Sequence, residues 1–222
     1  MDDFWDGADV MVGVSFQPIL GYGAGAPADP VTSLAFHDSA TASGTGTLTV
    51  PATVQAGDII CVKENGSSVN AAPSGYTILA NTAGIVLSYK IATGADASAT
   101  VPSGSSLVAG TRRELLVFRG DVPANTVTGH DPAAINEATA NPASQTVNAS
   151  GGTPPLIVLA SYNSTGAVDP RSFSPAKDAE VNTDTTSYFA YKIYNSSPAD
   201  VTVDMDDEGS TNKLASGYIQ VA

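Results

Sequence analysis

Short apolar runs recur along the whole chain, and they come in two forms. Some keep a strict period of two, as Val10, Val12, Val14 and Phe16 do, and as Thr45-Gly46-Thr47-Leu48-Thr49-Val50-Pro51 does. Others are continuous, such as Ile59-Ile60-Cys61-Val62, Leu115-Leu116-Val117-Phe118 and Leu156-Ile157-Val158-Leu159. Alternation predicts strands with one apolar face, and four- to eight-residue apolar runs bounded by turn residues also read as strands. Gln55-Ala56-Gly57-Asp58 and Pro73-Ser74-Gly75-Tyr76 supply such turns. Further runs are Tyr76–Leu79, Ala83–Ile91, Ala97–Val101 and Glu114–Arg119. The one stretch with helical leanings, Pro132–Glu137, predicts a turn or two at most.

The runs then return in the same order about a hundred residues later. Ser144–Val147 follows Thr47–Val50, Leu156–Leu159 follows Ile59–Val62, and Ser187–Ile193 follows Leu87–Ile91. Asp200–Val203 matches Ala99–Val101, and Gly217–Val221 matches Leu115–Phe118. A spacing this long is an internal duplication rather than a solenoid period. The expected fold is all-β, a jelly-roll-like β-sandwich with an internal duplication, its pseudo-repeats at about 31–120 and 130–222 in one domain of residues 31–222. One jointly built sandwich is expected, with the Pro/Asn/Ala-rich passage from Gly120 to Ala143 crossing over a shared core.

Residues 1–30 stand apart. Phe4, Trp5, Val10, Val12, Val14 and Phe16 precede a passage rich in glycine and proline, Gly21–Pro27, which reads as a linker. Two readings are open: a first strand of the main domain, or an extended N-terminal arm that docks on a neighbouring subunit by strand addition.

Composition narrows the partners. Charged residues make up 14% of the chain, against roughly 25% in ordinary globular proteins, and Ser, Thr, Asn and Gly replace them. So few charges suggest a surface partly covered by other subunits. The formal net charge of −13 argues against nucleic acid, which needs a cationic footprint, and against anionic membranes. No run reaches the length of a membrane span, and no basic residue precedes Lys63 to form the n-region of a secretory signal. The expected product is soluble or joins an assembly. Cys61 is the only cysteine and reads as a small buried hydrophobe.

Candidate chemistry is sparse. Two histidines, His37 and His130, each precede an aspartate (Asp38, Asp131); adjacent residues cannot form a catalytic triad, and such pairs commonly open turns. Asp204-Met205-Asp206-Asp207-Glu208-Gly209 resembles the start of a calcium loop, but position 12 would be Ala215 and the bidentate ligand is missing. Glu114 follows Arg112-Arg113 and reads as ion-paired. Arg119-Gly120-Asp121 reads as a strand end with its turn. No catalytic residue, metal site or cofactor is expected.

Four short motifs carry a resemblance: Gly57-Asp58-Ile59-Ile60, Pro73-Ser74-Gly75-Tyr76, Tyr89-Lys90-Ile91-Ala92 and Leu116-Val117-Phe118-Arg119-Gly120. In this order they resemble a β-rich domain widespread in tailed-phage virion proteins. The resemblance implies a structural role on a phage or phage-like particle: a homo-oligomeric tail-fibre or tail-tip component docked by its arm to other virion proteins, or else a head decoration or spike protein. It carries over no catalytic residues. The reading from a different class is a carbohydrate-binding module for host-surface glycans, with Tyr22, Tyr76, Tyr162 or Tyr194 stacking on sugars.

Overall fold

A computed structural model describes residues 29–66, 69–82, 84–137, 143–164, 171–184, 186–205 and 212–222. The arm residues Phe4, Trp5, Val10, Val12, Val14 and Phe16 lie outside the described residues. The first half contributes β1 (Leu34–Ser43), β2 (Ile59–Asn65), β3 (Thr77–Thr82), β4 (Ile85–Ile91) and β5 (Arg112–Gly120). They form an antiparallel sheet in the order β1-β5-β2-β4-β3. The second half contributes β6 (Val127–Glu137), β7 (Ala143–Val147), β8 (Leu156–Ser164), β9 (Arg171–Ser174), β10 (Ala179–Asp184), β11 (Ser187–Tyr194), β12 (Val201–Met205) and β13 (Asn212–Val221). Its large sheet runs β6-β13-β8-β11-β10, and a small sheet runs β7-β12-β9.

Each half is a rolled hairpin. In the second, β6 pairs with β13, β7 with β12 and β8 with β11, so first meets last and each next pair nests inside. In the first half β1 pairs with β5 and β2 with β4. Between them a short cover forms where Thr49 bridges Thr100, with Val50 N–H donating to Ala99 O at 2.9 Å and Val101 N–H to Leu48 O at 2.9 Å. Nesting of this kind is the jelly-roll wrap. The two large sheets have the same strand order, β1-β5-β2-β4-β3 matching β6-β13-β8-β11-β10.

The two large sheets pack face to face, and this explains the continuous apolar runs. Alternate residues of a strand point to opposite faces. Ile60 and Val62 of β2, with Leu115 and Val117 of β5, turn into a core under the 47–50 and 99–101 cover. Their neighbours Ile59, Cys61, Leu116 and Phe118 face Ile157, Leu159, Phe189, Tyr191 and Ile219 of the other half. Val158, Ala160, Tyr188, Ala190 and Tyr218 fill a third core beneath the small sheet. A strand with a core on both sides can carry no polar face, so β2 is buried at every position.

The two halves contribute their large sheets to one shared β-sandwich core, and each sheet also carries a core of its own on its other face. The crossover is correspondingly short, since Val127–Glu137 is strand and not a passage over the core. The turn expected at Pro132–Glu137 is the end of that strand, because β13 pairs with Ala133–Glu137 antiparallel from Ser216 through Asn212.

Charged residues enter this interior in pairs. At one end of the shared core Lys63 Nζ lies 3.0 Å from Glu114 Oε2, with both side chains fully buried. The ammonium also donates across the junction to Ser187 Oγ and to Tyr162 O. On the opposite face of the same strands Arg113 Nε donates to Glu64 Oε1 at 2.6 Å, and its Nη2 donates to the carbonyls of Val101 and Pro102. Glu114 is thus ion-paired, to Lys63 on the neighbouring strand rather than to the arginines that precede it in the chain.

Breaking such a pair leaves a charge stranded in low dielectric. Lys63→Met is expected to destabilise the fold by about 3–5 kcal/mol, and Lys63→Met with Glu114→Leu to recover most of that loss. Urea unfolding of both variants checks this, and a single variant as stable as the wild type would refute it.

Candidate functional site

The two His-Asp pairs are not turn openers; they occupy matching irregularities in matching strands. The β1–β5 register slips between Phe36 and Asp38, and the β6–β13 register slips at Ser216–Tyr218, opposite His130–Ala133. Each bulge turns its aspartate toward the loop that follows the cover strand. Asp38 accepts from Thr53 Oγ1 at 2.7 Å and from Ser39 N–H at 2.8 Å. Asp131 accepts from the Asn148 backbone N–H at 2.6 Å. The imidazoles take other partners: His130 stacks on Tyr218, and His37 Nε2 lies 3.4 Å from Thr53 O. Both pairs are structural clasps repeated by the duplication.

A second clasp joins the motif residues Gly57-Asp58 and Arg119-Gly120. Arg119 grips Asp58 with two bonds of 2.7 Å, from Nε to Oδ1 and from Nη2 to Oδ2, and Nη2 also donates to Thr53 O at 2.9 Å. Asp58 in turn accepts from Gln55 N–H at 2.8 Å. Gly57 is required there: its φ is +88°, and a Cβ would stand 2.4 Å from Pro123 Cβ. In the second half a neutral bond does the equivalent work, Thr153 N–H donating to Gln220 Oε1 at 3.0 Å. Asp121, closing the Arg-Gly-Asp tripeptide, accepts from Thr32 Oγ1, Thr32 N–H and Ser33 N–H. Both charges of the tripeptide are engaged within the fold, as a strand end with its turn.

Two concavities flank this clasp and share Arg119, Gly120 and Asp121. One, of about 190 Å³, opens over Gln55–Asp58 and Val122–Pro123. The other, of about 420 Å³, is lined by Ser33–His37 and by Asn195 from the second half. Asn195 pins the start of β1 by exchanging bonds with Leu34, accepting from its N–H at 2.7 Å and donating to its carbonyl at 3.0 Å. At the rim of the larger cleft stands Phe36, 40% exposed. Its ring lies parallel on Tyr191 at 5.4 Å and edge-on to Phe118 at 6.3 Å.

Two of the four aromatics named from the sequence as sugar platforms have no exposed face. Tyr162 and Tyr194 are buried, because alternation places both in the second half's own core. Tyr76 is half-buried beneath the Lys90 ammonium, 5.0 Å above its ring, and Tyr22 lies outside the described residues. Phe36 is legible in the sequence only as a break in the repeat. By register Phe36 opposes Phe118, and its counterpart opposite Ile219 is Gly129.

The other candidates resolve into structure. Asp204 accepts from Ser144 and Ser172, tying β12 to β7 and β9, and residues 206–209 of that acidic stretch lie outside the described residues. Among the described residues no group of three or more His, Cys, Asp or Glu is placed to hold a metal ion. No helix among them is long and apolar enough to cross a membrane. Cys61 is a free thiol in the shared core, its pKa pushed up by burial.

The Asp121 clasp should be visible in a titration. Bonds from Thr32 and Ser33 hold its carboxyl at about 2, below the ordinary 3.8. On acidification the unfolded chain takes up this proton first, so the clasp stabilises fully above the ordinary value and its contribution vanishes as pH falls through about 2. A carboxyl-carbon NMR titration should place the midpoint there; a midpoint at the ordinary value would show the clasp to be open in solution.

No protein-family model, no curated protein and no solved structure matches the chain.

Proposed function

We propose that the chain is a structural component of a phage or phage-like particle, a tail-fibre or tail-tip protein that docks by its N-terminal segment and displays the double sandwich. The observation behind this reading is the mutual burial of the two jelly-roll-like halves, which makes one rigid body from two. A rigid all-β body with few surface charges suits permanent packing against other subunits better than reversible solution encounters. The acids inside it support the same reading, since Glu64, Glu114 and Asp58 are each bound by a basic side chain. Carboxylates held this way lack the freedom to trade protons with a substrate.

The order of the chain fits docking from one end. Residues 1–30 end beside the Asp121 clasp, and the apolar alternation from Val10 to Phe16 is the kind that adds to a sheet edge. In the particle the protein is a homo-oligomer, its partners other virion proteins.

Deleting residues 1–30 tests this. The truncated protein should fold with an unchanged unfolding midpoint yet be absent from purified particles; normal incorporation would overturn the docking role. Gold labelling of a C-terminal tag should place the sandwich on the tail.

A further inference from the structure

We infer that the cleft between Phe36 and Arg119 is a binding site for a neutral glycan, with Phe36 as its stacking platform. The inference does not rest on the particle reading, because a free protein would bind the same ligand.

The break in symmetry is the first ground. The duplication repeats the bulge, the His-Asp pair and the aspartate clasp in both halves, and the tyrosines of β4 and β11, Tyr89 and Tyr191, hold corresponding places in the shared core. At the position before the histidine the copies part. Gly129 lets its own N–H reach the Tyr89 hydroxyl at 2.8 Å, and a Cβ there would meet Leu79 and Tyr89 at about 3 Å. In the first half the same position carries a phenylalanine laid over Tyr191 and left 40% exposed. One copy of a duplicated site thus leaves two-fifths of a large apolar ring in water where a glycine serves the other copy.

Rigidity is the second ground. The Phe36 ring is backed by a parallel tyrosine and an edge-on phenylalanine, both buried. Little rotamer freedom remains to be lost on binding, which is what a stacking platform requires.

Charge and shape select the ligand. The cleft that Phe36 borders is also lined by Ser33, His37, Arg119, Asp121 and Asn195, and the second concavity adjoins it at Arg119, Gly120 and Asp121. A pyranose has one apolar C–H face and a rim of hydroxyls that both donate and accept, so it matches one flat ring circled by mixed polar groups. An anionic sugar does not fit. Arg119 is already neutralised by Asp58, and Asp121 adds an uncompensated negative charge in a chain of net −13. The paired concavities suit two or more consecutive residues of a neutral polymer.

The test is binding of full-length protein to a panel of neutral hexasaccharides (cellohexaose, maltohexaose, xylohexaose and chitohexaose) and neutral O-antigen polysaccharides, with polygalacturonate as the anionic control. The readout is NMR shift perturbation with calorimetry. At least one neutral member should bind with Kd on the order of 1 mM or tighter and move the Phe36 and Tyr191 ring resonances. Phe36→Ala, still folded at the assay temperature though with a lowered unfolding midpoint, should weaken that binding by about tenfold or more, while Phe36→Trp retains it. Three outcomes would overturn the inference: no neutral glycan moves those resonances at about 10 mM, polygalacturonate binds equally well, or Phe36→Ala binds like the wild type. Should Phe36→Ala instead dissociate an oligomer with no glycan bound, the ring is an interface residue and the inference also fails.

Discussion

Everything in this molecule follows from a set of strands that must be apolar on both faces. An isolated jelly roll buries one face of each sheet and wets the other, which reads as alternation. Here the large sheet of each half finds a second apolar surface in its twin, so Ile59, Cys61, Leu116 and Phe118 are removed from water as completely as Ile60, Val62, Leu115 and Val117. Truncating any one of these side chains would leave a cavity in a layered interior with little room to collapse, a loss of about 2–5 kcal/mol. The outer strands β1 and β6 are released from that constraint, and polar residues return to them.

Three apolar layers leave charged groups few places to go. Those that enter do so at the strand ends, where each finds an opposite charge: Lys63 with Glu114 in the shared core, Arg113 with Glu64 in the first half's own core, Arg119 with Asp58 at the surface. The first also binds Ser187 and the Tyr162 carbonyl across the junction. An ion pair adds little net stability in low dielectric but penalises any other alignment, so the contact serves best as a registration key between halves.

Much of this is legible in the sequence. The fold class and the order of the runs can be read because period-two and continuous apolar runs both encode strands, and because Leu156–Leu159 repeats Ile59–Val62. Why those runs are continuous is not legible, since two-sided burial is a property of packing and not of a single strand. The Pro132–Glu137 stretch misleads for a related reason: local propensity favours a turn, and the edge of β13 decides otherwise. Among the candidate aromatics, Tyr162 and Tyr194 cannot be told from surface residues until alternation fixes which face they occupy. Phe36 escapes notice because an apolar residue at a strand start looks like core.

The claim that one shared core unites two jelly rolls is tested most directly by native-state hydrogen exchange across β2, β5, β8 and β13. Amides of both halves should exchange through the same global opening, with one free energy and one denaturant dependence. Two distinct free energies, one for each half, would contradict it and reduce the molecule to two sandwiches that merely touch.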